Sequence, residues 1–191
     1  MSLIPAFKLG LWNAWILTIW VLAIIVTSQI IMKRRDGHLE KVAQMTKKEN
    51  RLSNILMVIM ITSLIYSFFL PLKLSEVWFY TGLIIYLLAL IVSLIALQNF
   101  ATAQKDKPIT KGIYSFSRNP MYLSGFIAYI GISIASASWI FLLSGIVYII
   151  LQHVLTDSEE RFCLKKYGNS YQKYKNRTPR WIGLHKSNKN D

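Results

Sequence analysis

Four long apolar segments constrain the fold of this 191-residue chain more than any other feature of its sequence. Three of them are close to the roughly 20 residues that cross a bilayer as a helix: Leu11 to Met32, Leu52 to Leu72 and Val77 to Leu97. The fourth runs from Met121 to Leu155 and is interrupted at Ser136-Ala137-Ser138, so we interpret it as a hairpin of two helices, Met121 to Ser136 and Trp139 to Leu155. The sequence therefore predicts an all-α integral membrane protein with five transmembrane helices, the last two forming the hairpin. Four crossings with a re-entrant loop are the alternative.

The basic residues are concentrated in three segments that alternate with the other connections. Seven Lys or Arg residues lie between Lys33 and Arg51, four between Ala101 and Asn119, and nine after Asp157, which accounts for 20 of the 22. This positive-inside pattern predicts an N-terminus outside and a C-terminus in the cytosol. The net charge of +13 thus follows from topology and favours an anionic lipid surface. Nucleic-acid binding is not expected.

We divide the chain into an N-terminal three-helix membrane scaffold (residues 1–97), a second region with a loop, the hairpin and a tail (98–185), and a frayed tail (186–191). Small residues four positions apart, which let helices approach closely in lipid, predict contacts through Ala89 and Ser93 on the third helix. Gly131 and Ala135 have the same spacing on the fourth. After the last crossing, residues 156–167 predict a cytosolic amphipathic helix that ends at Gly168.

Several kinds of site are absent from the sequence. It contains no Gly-x-Gly, and therefore neither a dinucleotide-binding fingerprint nor a phosphate-binding loop of that type. The three histidines, His38, His153 and His185, are scattered and Cys163 is the single cysteine, so no metal site is predicted. The apolar segments hold no run of acids or bases of the kind that marks ion pathways, which disfavours a transporter.

Two polar features remain at the predicted cytosolic ends of the last helices: the turn Arg118-Asn119-Pro120-Met121-Tyr122 and the pair Glu159-Glu160. Each has a purely structural interpretation. Asn119 suits a helix N-cap and Pro120 the first helical turn, while the glutamates can belong to a polar helix face. Both features lie on the same predicted side of the membrane, where ionisable groups more often serve a site than the fold.

The wider pattern resembles the isoprenylcysteine carboxyl methyltransferase family and the related phospholipid N-methyltransferases. It consists of Gly112-x-Tyr114-x3-Arg118-Asn119-Pro120-x-Tyr122, then Glu159-Glu160-x3-Leu164-x2-Tyr167-Gly168-x2-Tyr171-x2-Tyr174-x5-Arg180. The resemblance covers about Gln98 to Trp181 and implies S-adenosylmethionine as the cofactor. It therefore makes residues 98–185 the cofactor-binding catalytic region.

The resemblance also implies a role for individual residues. It places these in the cofactor pocket: Lys107, Pro108, Ile109, Tyr114, Asn119, Pro120, Met121, Tyr122 and Glu159, with Gln98 or Asn99 as further contributors. Arg118 and Glu160 are the candidate catalytic residues. Arg118 is suited to pair with the methionine carboxylate or a substrate anion, and Glu160 to act as a base toward an amine or hydroxyl acceptor.

Two positions depart from the family pattern. Asn119 stands where the family usually has His, and it cannot titrate near neutrality. Leu155 stands where carboxyl methyltransferases tend to have an Arg that holds the substrate carboxylate. A lipid amine, thiol or hydroxyl therefore gains weight as the acceptor.

The sequence thus predicts methyl transfer from S-adenosylmethionine to a lipophilic acceptor that enters from the inner leaflet. Two other function classes remain open. Membrane reductases of the steroid-reductase type, which use NADPH, have a similar Pro-x-Tyr turn but tend to carry His-x-Tyr in place of Glu159-Glu160. A non-catalytic membrane scaffold or transporter is the third class.

Overall fold

The computed structural model describes residues 8–34, 45–104 and 106–183. Within these ranges the fold consists of six α-helices and one 3₁₀ turn, Gly112–Ser115. The helices are α1 (Trp15–Arg34), α2 (Lys47–Ser67), α3 (Val77–Thr102), α4 (Pro120–Ala135), α5 (Trp139–Tyr167) and α6 (Asn169–Arg177). The frayed tail predicted for residues 186–191 lies outside the described ranges.

The extended residues before α1 form backbone hydrogen bonds with the extended residues after α2. Asn13 pairs with Pro71 in an isolated antiparallel bridge, and the Ala14 N–H donates to Leu70 O at 2.8 Å. These contacts satisfy backbone groups that would otherwise be orphaned at helix termini. They also explain why α1 begins later, and α2 ends earlier, than the apolar segments alone predict.

Helices α3 and α4 pack against each other at backbone contact. A Cβ atom on Gly82 would lie 2.5 Å from Gly131 O, and one on Gly131 would lie 2.7 Å from Tyr86 N. Near the other end of this interface, Ser93 Oγ donates to Ser124 Oγ at 2.7 Å. The prediction of small residues in this interface is confirmed for Ser93, Gly131 and Ala135, whereas the role of Gly82 was missed.

The predicted hairpin is confirmed as α4 and α5. Its turn contains Ala137 with φ of 51°, and Ser138 caps α5 by accepting a hydrogen bond from the Phe141 N–H at 3.3 Å. The separate amphipathic helix predicted for residues 156–167 is wrong as a separate element, because α5 continues through it without a break. No proline or glycine interrupts this stretch, so the change from apolar to polar side chains does not bend the backbone. Gly168 ends α5 as predicted: its φ is 55°, and its N–H donates to Leu164 O at 2.9 Å.

The outer surface of the bundle is apolar. Helices α3 and α5 are long and apolar enough to cross a membrane, while Trp15–Ile31 of α1 and all of α4 are shorter apolar helices. Large side chains such as Ile84, Leu88 and Leu143 are more than half exposed, as expected for a surface that faces lipid. The charged side chains of α2 and α5 gather at one end of the bundle, near Glu49, Glu160 and Arg161. We call this the polar end.

Candidate active site

The loop between α3 and α4 is positioned by the end of α3. Asn99 Oδ1 accepts a hydrogen bond from the Ile113 N–H at 3.1 Å. Gly112 has φ of 62°, and a Cβ atom there would lie 2.1 Å from Asn99 Oδ1. Glycine is therefore required by both conformation and space, which gives a physical reason for the first residue of the sequence motif.

The turn that opens α4 contacts the C-terminal tail, by which we mean α6 and residues 178–183. Pro120 is in the first turn of α4 and Asn119 is its N-cap, as predicted, but the Asn119 side chain makes no capping hydrogen bond. Its amide instead donates to Arg180 O at 3.1 Å, and the Arg118 N–H donates to Pro179 O at 3.0 Å. The Asn119 side chain thus binds the tail rather than the helix that it precedes.

A buried ion cluster joins the turn, α5 and the tail around Glu160. Its carboxylate lies 2.9 Å from Arg118 Nη2, 2.7 Å from Lys175 Nζ and 3.1 Å from Arg180 Nε. The Glu160 and Arg118 side chains are only 4% and 8% exposed. Arg118 also donates to Lys175 O at 2.8 Å. Opposite charges at these distances favour the ionised carboxylate, which makes Glu160 a poor proton acceptor and a strong anchor for the tail.

The pKa values of two side chains in the tail are shifted in the direction that keeps this anchoring intact. Burial acts to lower the pKa of Arg180, but hydrogen bonds to Glu160 and Asp157 outweigh it and raise the pKa above its ordinary value. Burial raises the pKa of Tyr174 well above its ordinary value. The Tyr174 hydroxyl therefore stays protonated and donates to Tyr114 O at 2.7 Å.

Glu159 has a different environment from its neighbour. It lies on the adjacent face of α5, and the Tyr122 hydroxyl donates a hydrogen bond to Glu159 Oε1. This contact joins the first turn of α4 to α5 on the wall of a cavity. The two glutamates thus have different partners: cations of the turn and the tail hold Glu160, and Tyr122 holds Glu159.

The cavity has a volume of about 460 Å³ and lies among helices α1 to α5 and the tail. Most of the residues predicted to form the site lie in its lining: Pro108, Ile109, Tyr114, Arg118, Asn119, Pro120, Met121, Tyr122, Glu159 and Glu160. Lys107 is exposed and does not line it, and neither do Gln98 and Asn99. The turn and the paired glutamates are therefore brought together, whereas Lys107 stays apart from them.

Comparison with known families decides how the chain is classified. A family model described as phospholipid methyltransferase matches residues 75–170, just over half of the chain. The chain belongs to the phospholipid methyltransferase family. This family of integral membrane methyltransferases includes enzymes like the isoprenylcysteine carboxyl methyltransferases. No individual curated protein matches the chain.

The region matched by the family model contains most of the cavity wall but not all of it. Side chains of α1 and α2, which the sequence assigns to a scaffold, also line the cavity: Val21, Leu22, Ile25, Leu56 and Met60. Their apolar pattern gave no sign of this, because a cavity wall and a lipid-facing surface use the same residue types. The ion pair between Glu49 and Arg161, with a closest distance of 2.7 Å, fixes α2 to α5 beside these residues.

Proposed function

We propose that this phospholipid methyltransferase family member transfers a methyl group from S-adenosylmethionine to a lipophilic acceptor. The hydrogen bond from Tyr122 to Glu159 on the cavity wall carries the proposal. Both residues lie within the matched region. An aromatic hydroxyl that orients a carboxylate toward a cavity is an arrangement suited to binding a ligand with hydroxyl or ammonium groups.

The residues present fit S-adenosylmethionine. A volume of about 460 Å³ is within the range of roughly 300 to 1,000 Å³ of small-molecule sites. The lining offers tyrosine faces for a cation and a carboxylate for hydroxyl or ammonium donors. Arg118 Nε is buried without an acceptor among the described residues. A carboxylate of the ligand could therefore accept a hydrogen bond from this N–H group.

The chain's own residues would act mainly by alignment. S-adenosylmethionine, when bound, supplies an electrophilic methyl group. Glu159 would accept hydrogen bonds from the cofactor, Tyr122 would hold Glu159 in place, and Tyr114 would offer its ring. We assign Glu160 to positioning, since its ion cluster with Arg118 and Arg180 fastens the tail beside the cavity. An aligned displacement in a site from which water is excluded needs little further help from the protein.

The acceptor would enter from the membrane. Leu155 is buried on the cavity wall, where an Arg would be needed to neutralise a substrate carboxylate. An uncharged or cationic acceptor group is therefore favoured over a prenylcysteine carboxylate. In this proposal five helices cross the membrane, the N-terminus is outside, and the polar end faces the cytosol and the inner leaflet.

Binding and transfer of radiolabelled S-adenosylmethionine by the purified protein test the proposal. Glu159→Ala should weaken cofactor binding by at least about tenfold, because one charge-assisted hydrogen bond contributes roughly 1.5 to 3 kcal/mol. Glu76→Ala is the matched control, since Glu76 is half exposed at the opposite end of α3 and pairs with Lys73 at 3.7 Å. Equal binding by wild type and Glu159→Ala would remove Glu159 from the site. Failure of S-adenosylhomocysteine to raise the melting temperature of the wild type would contradict the proposed function itself.

A further inference from the structure

One face of α5 forms a continuous wall of the cavity from the polar end inward. Tyr148, Gln152, Leu155 and Glu159 follow at spacings of four, three and four residues, and all four line the cavity. Side chains at these spacings lie above one another on a helix. With a rise of 1.5 Å per residue, Gln152 is about 10 Å from Glu159 along the helix axis. The cavity therefore has a second level, well inside the bundle, that the proposed cofactor contacts do not use.

Gln152 is the unexplained polar group at this level. Its side chain belongs to a residue only 5% exposed and lies on the cavity wall. Among the described residues, nothing accepts from or donates to its amide group; apart from the backbone bonds of the helix, Gln152 takes part in one hydrogen bond, from Thr156 Oγ1 to its backbone carbonyl. Buried polar side chains without partners are uncommon in folded proteins. An amide left open toward a cavity is therefore a candidate contact for a ligand.

The surroundings of Gln152 select against a charged ligand group. Apolar and aromatic side chains of α2, α3 and α4 line the same cavity: Leu56, Met60, Tyr86, Ala128 and Tyr129. The Tyr129 ring stacks on Tyr148, one helical turn from Gln152, with ring centroids 5.4 Å apart. The Tyr86 hydroxyl is already engaged, since it donates to Leu17 O at 2.9 Å. The charged residues of the described lining belong to the polar end: Arg118, Glu159, Glu160 and Lys166. A carboxylate or an ammonium at the level of Gln152 would therefore be desolvated without a counter-charge.

We propose that Gln152 binds a hydroxyl group of the lipophilic acceptor, and that this contact selects acceptors carrying such an uncharged group about 10 Å from Glu159. An amide offers one acceptor oxygen and an N–H donor, and a hydroxyl both donates and accepts. A carboxylate can only accept and an ammonium can only donate, so each leaves half of the amide unsatisfied. The inference rests on the proposed function, because it takes the inner part of the cavity as the acceptor site.

Four probes that share a twelve-carbon chain and differ only at the head test this assignment: 1-dodecanol, dodecane, dodecanoate and dodecylammonium. Each probe is titrated into the protein in phosphatidylcholine nanodiscs. The rise in melting temperature with probe concentration gives its affinity. We expect 1-dodecanol to bind wild type about tenfold more tightly than each of the other three probes, the equivalent of roughly one buried hydrogen bond.

Gln152→Leu removes the amide at nearly constant volume. It should lower the affinity for 1-dodecanol to that for dodecane. Gln172→Leu is the control, because it makes the same change on an exposed part of α6, where the amide bonds Asn176 at 2.9 Å. Gln152→Glu provides a second variant and should shift the preference toward dodecylammonium. No advantage of 1-dodecanol in wild type, or an advantage that persists in Gln152→Leu, would overturn the assignment.

The stabilisation by S-adenosylhomocysteine, measured on the same samples, separates the two proposals. If it is present in wild type and in Gln152→Leu, both are folded and able to bind the cofactor, so the probes report on Gln152 alone. If it is absent in wild type, the proposed function fails irrespective of what the probes show.

Discussion

Neutralising Glu160 should detach the C-terminal tail from the bundle. In Glu160→Gln the shape of the side chain is kept, but the charge that faces Arg118, Lys175 and Arg180 at 2.7 to 3.1 Å is lost. Arg118 is almost completely buried, whereas Lys175 and Arg180 are 34% and 22% exposed. Arg118 is therefore the cation that loses the most stabilisation, because little water can reach it to replace the carboxylate.

The size of the effect follows from that burial. Removing one partner of a buried ion pair costs about 3 to 5 kcal/mol, and we take the lower end because the amide of glutamine can still accept a hydrogen bond. The two more exposed cations add little, since exposed pairs contribute about 0 to 1 kcal/mol. A cost of about 3 kcal/mol corresponds to a rise of roughly a hundredfold in the equilibrium for tail opening.

Hydrogen exchange of the α6 amides, followed by mass spectrometry, measures this opening directly. The matched control is Asp157→Asn, which removes a carboxylate that is 52% exposed and pairs with Arg180 at 2.7 Å. We expect a change of at most a fewfold in that variant. Equal exchange in Glu160→Gln and Asp157→Asn would refute the reasoning, as would a Glu160→Leu/Arg118→Met double variant that is no more stable than Glu160→Leu alone.

Two further predictions concern the helix contacts. Gly131→Ala should lower the free energy of unfolding by about 1 to 3 kcal/mol, because the new Cβ would lie 2.7 Å from the Tyr86 backbone nitrogen; an unchanged melting temperature would contradict the backbone contact of α3 and α4. For Glu49, burial acts to raise the pKa, but hydrogen bonds from Arg161 and Thr46 outweigh it and lower the pKa below its ordinary value of 4.5. The stabilisation by the Glu49–Arg161 pair is therefore complete above about pH 4.5 and is lost as the pH falls through the lowered pKa. The difference in melting temperature between wild type and Glu49→Gln should shrink on acidification over that range, and a constant difference from pH 7 to pH 3 would contradict this.

Features governed by local chemistry were predictable from the sequence. Pro120 opens α4 and Gly168 ends α5 because the missing N–H of proline and the positive φ of glycine act within one helical turn. The hairpin at Ser136-Ala137-Ser138 was predictable because these short residues interrupt an apolar segment too long for one crossing. The motif turn and the paired glutamates were expected at one site, and the contact between Arg118 and Glu160 brings them together.

Features that depend on distant partners were not predictable. The spacing of small residues pointed to Ala89, but it could not identify Gly82 as a contact of Gly131 and Ala135, because spacing does not fix how two helices are displaced along each other. Asn119 was expected to cap α4, yet Arg180 O, which is 61 residues away, takes its amide. Gln152 carried no signal at all, since a single amide within an apolar helix looks the same whether it faces lipid, a neighbour or a cavity.

The unbroken course of α5 has a consequence for where reactions of this chain would take place. A helix of 29 residues is about 43 Å long, while the hydrocarbon layer of a bilayer is about 30 Å thick. Oriented along the membrane normal, α5 would extend beyond the hydrocarbon layer by about two turns, to the height of the lipid head groups. Because α5 is unbroken from Trp139 to Tyr167, its projecting turns stay in line with the rest of the helix, and the tail that the Glu160 cluster fastens to them lies at the same height.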